Sequence, residues 1–248
     1  MRAFFKIFFL VILFNNLFLN AQEKNFVANY NIKYTTINLD SNLKKNDSSK
    51  INKASLIINK KIKEGEEELK KINFKLIYNK DKSIFYKESR LDIDKKKVRL
   101  LSLILGLNDE VYFSDKESVL IQKNSFGENF LVKMPSIKWN ITSITKKIDK
   151  YLCYKAFTFN TIENSKGKHK VKVEAWFTPE IPFNYGPKNY NGLPGLIIEL
   201  KENENLTFQL KNIKKIKYKK IKKPINGKKI TLKEFNELSK KMYENRGN

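Results

Sequence analysis

The sequence is poor in the residues that most reaction chemistry needs. It has one cysteine, Cys153, and one histidine, His169, in 248 residues. A single cysteine excludes an intramolecular disulfide and any cysteine-based zinc cluster. A single histidine excludes a histidine-rich metal site. Arginine is nearly absent: only Arg2, Arg90, Arg99 and Arg246 stand among 50 basic residues. Acids are also few, 26 in all, leaving a formal net charge of +24. Beyond the N-terminus no apolar run reaches the ~20 residues that cross a bilayer as a helix. Glycine (9) and proline (6) are too scarce to build a flexible linker, so no domain boundary is marked.

What is present is a chain able to bury a core. It is 41% apolar and 12% aromatic, which excludes disorder as the main state. The positive charge would ordinarily suggest nucleic acid. Lysine carries it, however, and lysine lacks the bidentate fork that reads phosphates and base edges. Lysine also travels here with 29 asparagines and many isoleucines, the set an AT-rich codon supply favours. Two readings of the charge stay open, that compositional one and attraction toward an anionic surface, either a lipid surface of membrane headgroups or an acidic polysaccharide. No nucleic-acid partner is expected.

Residues 1–21 read as a secretory signal peptide. Arg2 and Lys6 form the positive start, Ile7 to Phe14 is unbroken apolar sequence, and Ala21 is the small residue before the cut. Asn15 and Asn16 leave the run too short for a membrane anchor. The expected mature chain is one domain, residues 22–248, exported to the periplasm or cell envelope.

Period-two alternation recurs along that domain. Phe26, Ala28, Tyr30, Ile32 and Tyr34 mark a first strand, and Asp40 to Asn52 reads as a loop. Residues 51–71 carry both helical spacing and an interrupting Gly65. Phe74–Tyr78 and Ser83–Tyr86 form a hairpin about Asn79–Lys82. Further strands are expected at 98–105, 110–114, 119–122, 129–134, 139–144, 151–159, 171–177, 196–200 and 206–210. Lys211 to Lys229 holds ten lysines and no acid. Thr231 and Glu234 make a capping box for a closing helix with Leu232, Phe235, Leu238 and Met242 on one stripe. Glu237 and Lys241 are placed to pair along it. The fold expected is mainly β: a single antiparallel sheet, half-barrel-like, with a C-terminal helix.

One segment stands apart. Four of the six prolines lie between Pro179 and Pro194, and three glycines between Gly186 and Gly195. Proline ends the strand at Pro179, and Pro194-Gly195 suits a type II turn. Trp176, Phe177, Phe183, Tyr185 and Tyr190 are expected to cluster about it. Gly192-Leu193-Pro194-Gly195-Leu196-Ile197, preceded by Trp176-Phe177-Thr178-Pro179-Glu180-Ile181-Pro182 and Gly186-Pro187, resembles the GLPGLI family. Ser83-Ile84-Phe85, Tyr151 to Ala156 and Thr231 to Phe235 extend the resemblance; Lys150 stands where the family often has glycine. The resemblance implies a secreted or envelope protein of the Bacteroidetes and no established activity.

Little in the sequence points to reaction chemistry. Cys153 shares its strand face with Phe157 and Phe159 and reads as an inert buried thiol; His169 sits between two lysines. Neither a phosphate loop nor a nucleophile elbow is present, and no cofactor or metal is expected. The leading expectation is a non-enzymatic module for an outer-membrane or periplasmic protein, contacted through Trp176, Pro179, Pro182, Tyr185, Gly186, Pro187, Gly192, Leu193, Pro194, Gly195, Leu196 and Ile197. The alternative is a carrier of a lipid or other hydrophobic ligand in the hollow of the sheet.

Overall fold

The structure is a computed structural model that describes residues 24–34, 48–164 and 167–245. The signal peptide expected at 1–21 and residues 40–47 of the loop expected from Asp40 to Asn52 lie outside the described residues. Twelve strands form one sheet: β1 Asn25–Tyr34, β2 Phe74–Tyr78, β3 Ser83–Lys87, β4 Val111–Ser114, β5 Val119–Ser125, β6 Glu128–Met134, β7 Asn140–Ile148, β8 Tyr151–Asn164, β9 Gly167–Thr178, β10 Leu196–Asn203, β11 Leu206–Ile216 and β12 Lys228–Thr231. The helices are α1 Ser48–Leu69, α2 Lys95–Ile104 and α3 Leu232–Glu244. The sheet order is β12-β6-β5-β4-β3-β2-β1-β11-β10-β9-β8-β7. Every pairing is antiparallel except β12 with β6. The mainly β architecture with a closing helix is as expected.

The hairpin forms where alternation and turn chemistry agree. Asn79 Oδ1 accepts from the N–H groups of Asp81 and Lys82 at 3.0 and 2.9 Å, reversing the chain between β2 and β3. One continuous face follows from the register. Tyr30 opposes Phe74, Leu76 opposes Phe85, and Phe85 opposes Tyr112. All five side chains are buried.

The sheet must curl toward that face. β6 and β7 stand ten places apart in the order, about 48 Å in a flat sheet. Only residues 135–139 join them, a reach of about 20 Å. A flat sheet cannot satisfy both, so the face carrying Tyr30 and Phe85 is concave.

The strand expected at 98–105 is instead α2. Asp94 caps it, accepting from Lys96 and Lys97 N–H at 2.9 and 3.3 Å. Val98, Leu101 and Leu105 then repeat at helical spacing and are buried. α1 runs through Gly65 rather than stopping there. A Cβ at Gly65 would lie 2.9 Å from the Lys97 carbonyl, so α2 crosses α1 where only glycine fits. Residues 48–52, expected as the end of a loop, are instead the start of α1. The capping box at α3 is formed: Thr231 N–H donates to Glu234 at 2.8 Å and Glu234 N–H to Thr231 Oγ1 at 3.2 Å. Phe235 packs edge-on against Phe130 with centroids 5.4 Å apart. Glu237 meets Lys233 at 4.0 Å, not the expected Lys241.

Candidate functional site

Residues 179–195, between β9 and β10, turn back over the concave face. Their backbone is bonded to itself. Gly192 N–H donates to Asn184 O at 2.9 Å, Leu196 N–H to Ile181 O at 3.0 Å, and Ile197 N–H to Tyr185 O at 3.0 Å. The expected type II turn at Pro194-Gly195 is absent. Gly195 N–H bonds instead to Leu193 O at 2.8 Å, a tighter turn around Pro194. The need for glycine at 195 is steric: a Cβ there would fall 2.1 Å from Thr178 O. A register shift between Ile197 and Glu199 buries Leu196, Ile197 and Ile198 together. It leaves Ile197 O free to accept from Tyr30 OH at 2.6 Å.

The loop reaches both arms of the curl. Phe183 lies 4.9 Å from Tyr78 and 5.4 Å from Phe26, ring centroid to centroid. Asn191 Nδ2 donates to Ser114 Oγ on β4 at 2.8 Å, and Asn191 O accepts from Trp139 Nε1 at 2.8 Å. Its neighbour Tyr190 accepts from Asn160 on β8 at 2.6 Å. Two adjacent residues thus bridge strands seven places apart in the sheet.

Beneath the loop lies a polar cluster that no sequence motif marks. Lys188 pairs with Glu202, sits 5.6 Å over the Phe208 ring and reaches Gly106 O at 3.5 Å. It holds this position with φ of 54°, a left-handed conformation that its contacts must maintain. Glu110 accepts from Tyr112 OH and pairs with Lys123 at 2.8 Å. Burial pushes the Glu110 carboxyl up, but Lys123, Tyr112 and Lys188 outweigh it and hold it below the usual range. Burial and then Glu110 raise the Tyr112 hydroxyl; burial and then Glu202 raise that of Tyr190. Two ammonium groups face two carboxylates, and the cluster is charge-balanced. Inward-facing charges, Glu110 just before β4 and Lys123 on β5, were the available sign of it.

The twelve expected contact residues divide sharply. Tyr185, Gly186, Pro187, Leu193, Gly195, Leu196 and Ile197 are buried. Pro179, Pro182, Gly192 and Pro194 are exposed. Trp176 does not join the aromatic cluster. Phe177 and Ala175 point inward, so Trp176 faces the outer side, where Lys146 and Lys155 stand 4.2 and 5.8 Å from its ring centre. Phe177, Phe183, Tyr185 and Tyr190 do lie on the loop side. Cys153 is fully buried, and burial raises its thiol to about 11. His169 is exposed. Among the described residues no three His, Cys, Asp or Glu side chains converge on a metal position, and no helix is long and apolar enough to cross a membrane. One open depression of about 360 Å³ is lined by Asn108, Asp109, Glu110, Lys123, Asn124 and Ser125, all polar.

Fold and site together define a β-sheet protein whose concave face is occupied by its own Pro/Gly loop. The family model described as a protein of unknown function (Porph_ging) matches residues 160–199, which hold the end of β8, all of the loop and the start of β10. No curated protein matches the chain. Two solved structures of PNGF-II, in C2 and P21 space groups, superpose with TM-scores of 0.46 and 0.47 at 19% and 15% identity. They cover 84% and 86% of this chain, which spans 30% and 32% of PNGF-II.

Proposed function

We propose that the chain is an exported, non-catalytic cell-envelope module that binds a protein partner through the outer rim of the 179–195 loop. The observation that carries this reading is the loop's two-sidedness. Its inner residues are locked to the sheet by aromatic contacts and backbone bonds. Its outer rim, Pro179, Glu180, Pro182, Asn184, Gly192 and Pro194, faces solvent. A rim held rigid before contact loses little entropy on binding. Two further supports are the resemblance to the GLPGLI family and the signal-like sequence at residues 1–21, with cleavage before Gln22. The balanced charges of the partly buried cluster favour a clamp over a catalytic site: each carboxylate already has its cation.

The carrier reading is the weaker one. The concave face on which a cargo would rest holds Phe183, Tyr185, Tyr190 and Ile197.

The test is photo-crosslinking in the native host, with the reactive group at Pro182 or Asn184 on the rim and at Asn31 on the outer face as control. One discrete adduct from both rim sites and none from Asn31 is expected. No adduct at either rim site, or equal labelling from all three positions, refutes the reading.

A further inference from the structure

An asparagine followed by glycine is a chemically labile step in a chain. The glycine nitrogen can reach the asparagine side-chain carbonyl, and no side chain on the glycine stands in its way. The sequence has two such steps, Asn191-Gly192 and Asn226-Gly227. The fold treats them in opposite ways.

At the first step every reacting group is held. Asn191 Nδ2 donates to Ser114 Oγ and Asn191 O accepts from Trp139 Nε1, both at 2.8 Å. Gly192 N–H donates to Asn184 O at 2.9 Å. Ring closure there requires the 179–195 loop to open first, so its rate falls with the open fraction. The second step ends an extended segment, residues 217–227, that has neither helix nor strand. Asn226 is exposed. Its peptide carbonyl accepts from Gln122 Nε2 at 2.9 Å. Among the described residues no hydrogen bond holds the Asn226 side chain or the Gly227 N–H. The glycine is also one the fold requires. A Cβ at Gly227 would lie 3.0 Å from Asn129 O and from Phe130 C, and its φ is +142°. Close packing on β6 therefore keeps an unhindered nitrogen beside an unheld amide.

We propose that Asn226 is a modification site, where the chain converts its own side chain by intramolecular deamidation. Gly227 N loses its proton to solvent and bonds to Asn226 Cγ, and Nδ2 leaves as ammonia. Water then opens the succinimide ring at either carbonyl, giving aspartate by one path and isoaspartate by the other. No oxidant or reductant takes part. Both products place a negative charge between Lys222-Lys223 and Lys228-Lys229. Isoaspartate also adds a methylene to the main chain just before Lys228, which opposes Phe130. β12 is four residues long and runs parallel to β6, so the added atom displaces a short strand from its register. The rim of the 179–195 loop takes no part, and the inference stands apart from the protein-partner reading.

The experiment is incubation of the whole mature chain in mildly alkaline buffer, folded and in urea. Peptide mass spectrometry then reads both steps, and enzymatic methyl transfer labels isoaspartate. In the folded chain Asn226 is expected to convert at least about tenfold faster than Asn191, and in urea the two rates converge. Asn226→Gln removes the isoaspartate label from that peptide. Equal rates at the two steps in the folded chain, or an Asn226 that converts only in urea, would overturn the proposal. Ion exchange separates the converted chains. The isoaspartate form is expected to melt below Asn226→Asp, which carries the same charge on an unaltered backbone. Equal melting temperatures would overturn the displacement of β12.

Discussion

Replacing Gly195 with alanine is the sharpest test of why the loop has its sequence. The added Cβ would lie 2.1 Å from Thr178 O, 2.6 Å from Thr178 C and 2.9 Å from Pro179 N. All three are backbone atoms, so no side chain can swing aside. Ordinary contact needs a displacement of more than an ångström at the junction of β9 and the loop. That shift would strain the bonds from Leu196 N–H to Ile181 O and from Ile197 N–H to Tyr185 O. Overpacking plus one or two weakened buried hydrogen bonds comes to about 3–5 kcal/mol. For a domain of this size that is a fall in Tm of roughly 10 °C. Gly192 is the control. Its φ is +89° but nothing lies within 4 Å of its Cβ position, so Gly192→Ala carries only the left-handed penalty, about 1–2 kcal/mol. The assay is thermal unfolding by circular dichroism, with fluorescence in a Trp176→Phe background. There Trp139, bonded to Asn191 O, becomes the only tryptophan and reports on the loop. Equal Tm shifts for the two alanines, or a larger one at Gly192, would refute the close approach as the reason for Gly195.

Three further outcomes follow from named contacts. Tyr78 OH is buried with no hydrogen-bond partner among the described residues, whereas Tyr30 OH donates to Ile197 O. Tyr78→Phe is therefore expected to raise stability by about 1 kcal/mol and Tyr30→Phe to lower it by about as much, measured by urea titration. The Glu110 carboxyl is held below its ordinary value in the fold, so its contribution is complete above the unfolded carboxylate range near ~4.3 and is lost as pH falls through the lower folded value. Glu110→Gln should be less stable at neutral pH and should flatten the acid limb of the stability profile. Cys153, buried and raised to about 11, should resist a thiol reagent at pH near ~8 in the native protein and react at once in denaturant.

Much of the sheet could be read from the chain because local and global demands agree there. Phe74 to Tyr78 alternates, turns at Asn79 and alternates again, and nothing distant overrides it. Residues 98–105 failed for a definite reason. A run of valine and leucines suits a buried strand and a buried helix equally, and the deciding residue, Asp94, stands outside the run. Trp176 failed differently. Its neighbours in sequence suggested an aromatic cluster, but a one-residue step on a strand reverses the face, and Phe177 holds the inner side. The ion cluster joins Glu110, Lys123, Lys188 and Glu202, which lie far apart along the chain and meet only once the sheet has curled. Sequence spacing carries no record of such a meeting.

The curl also explains why the loop is built as it is. A sheet that bends until β6 and β7 are joined by five residues has a concave face too wide for its own side chains to close. An empty hollow would forfeit the contacts of every residue lining it. The chain fills the space with a second layer made from one loop, and a layer of loop brings polar backbone into the core. Those groups need partners, and the residues of the motif supply them in turn. Asn184, Ile181 and Tyr185 accept from Gly192, Leu196 and Ile197, and Tyr30 caps the carbonyl left over. Pro187, the one buried proline of the four, brings no donor into the core, while Pro179, Pro182 and Pro194 lie on the exposed rim. The density of Pro and Gly at 179–195 is thus first a solution to burying irregular backbone, and the rim it leaves exposed is rigid as a consequence.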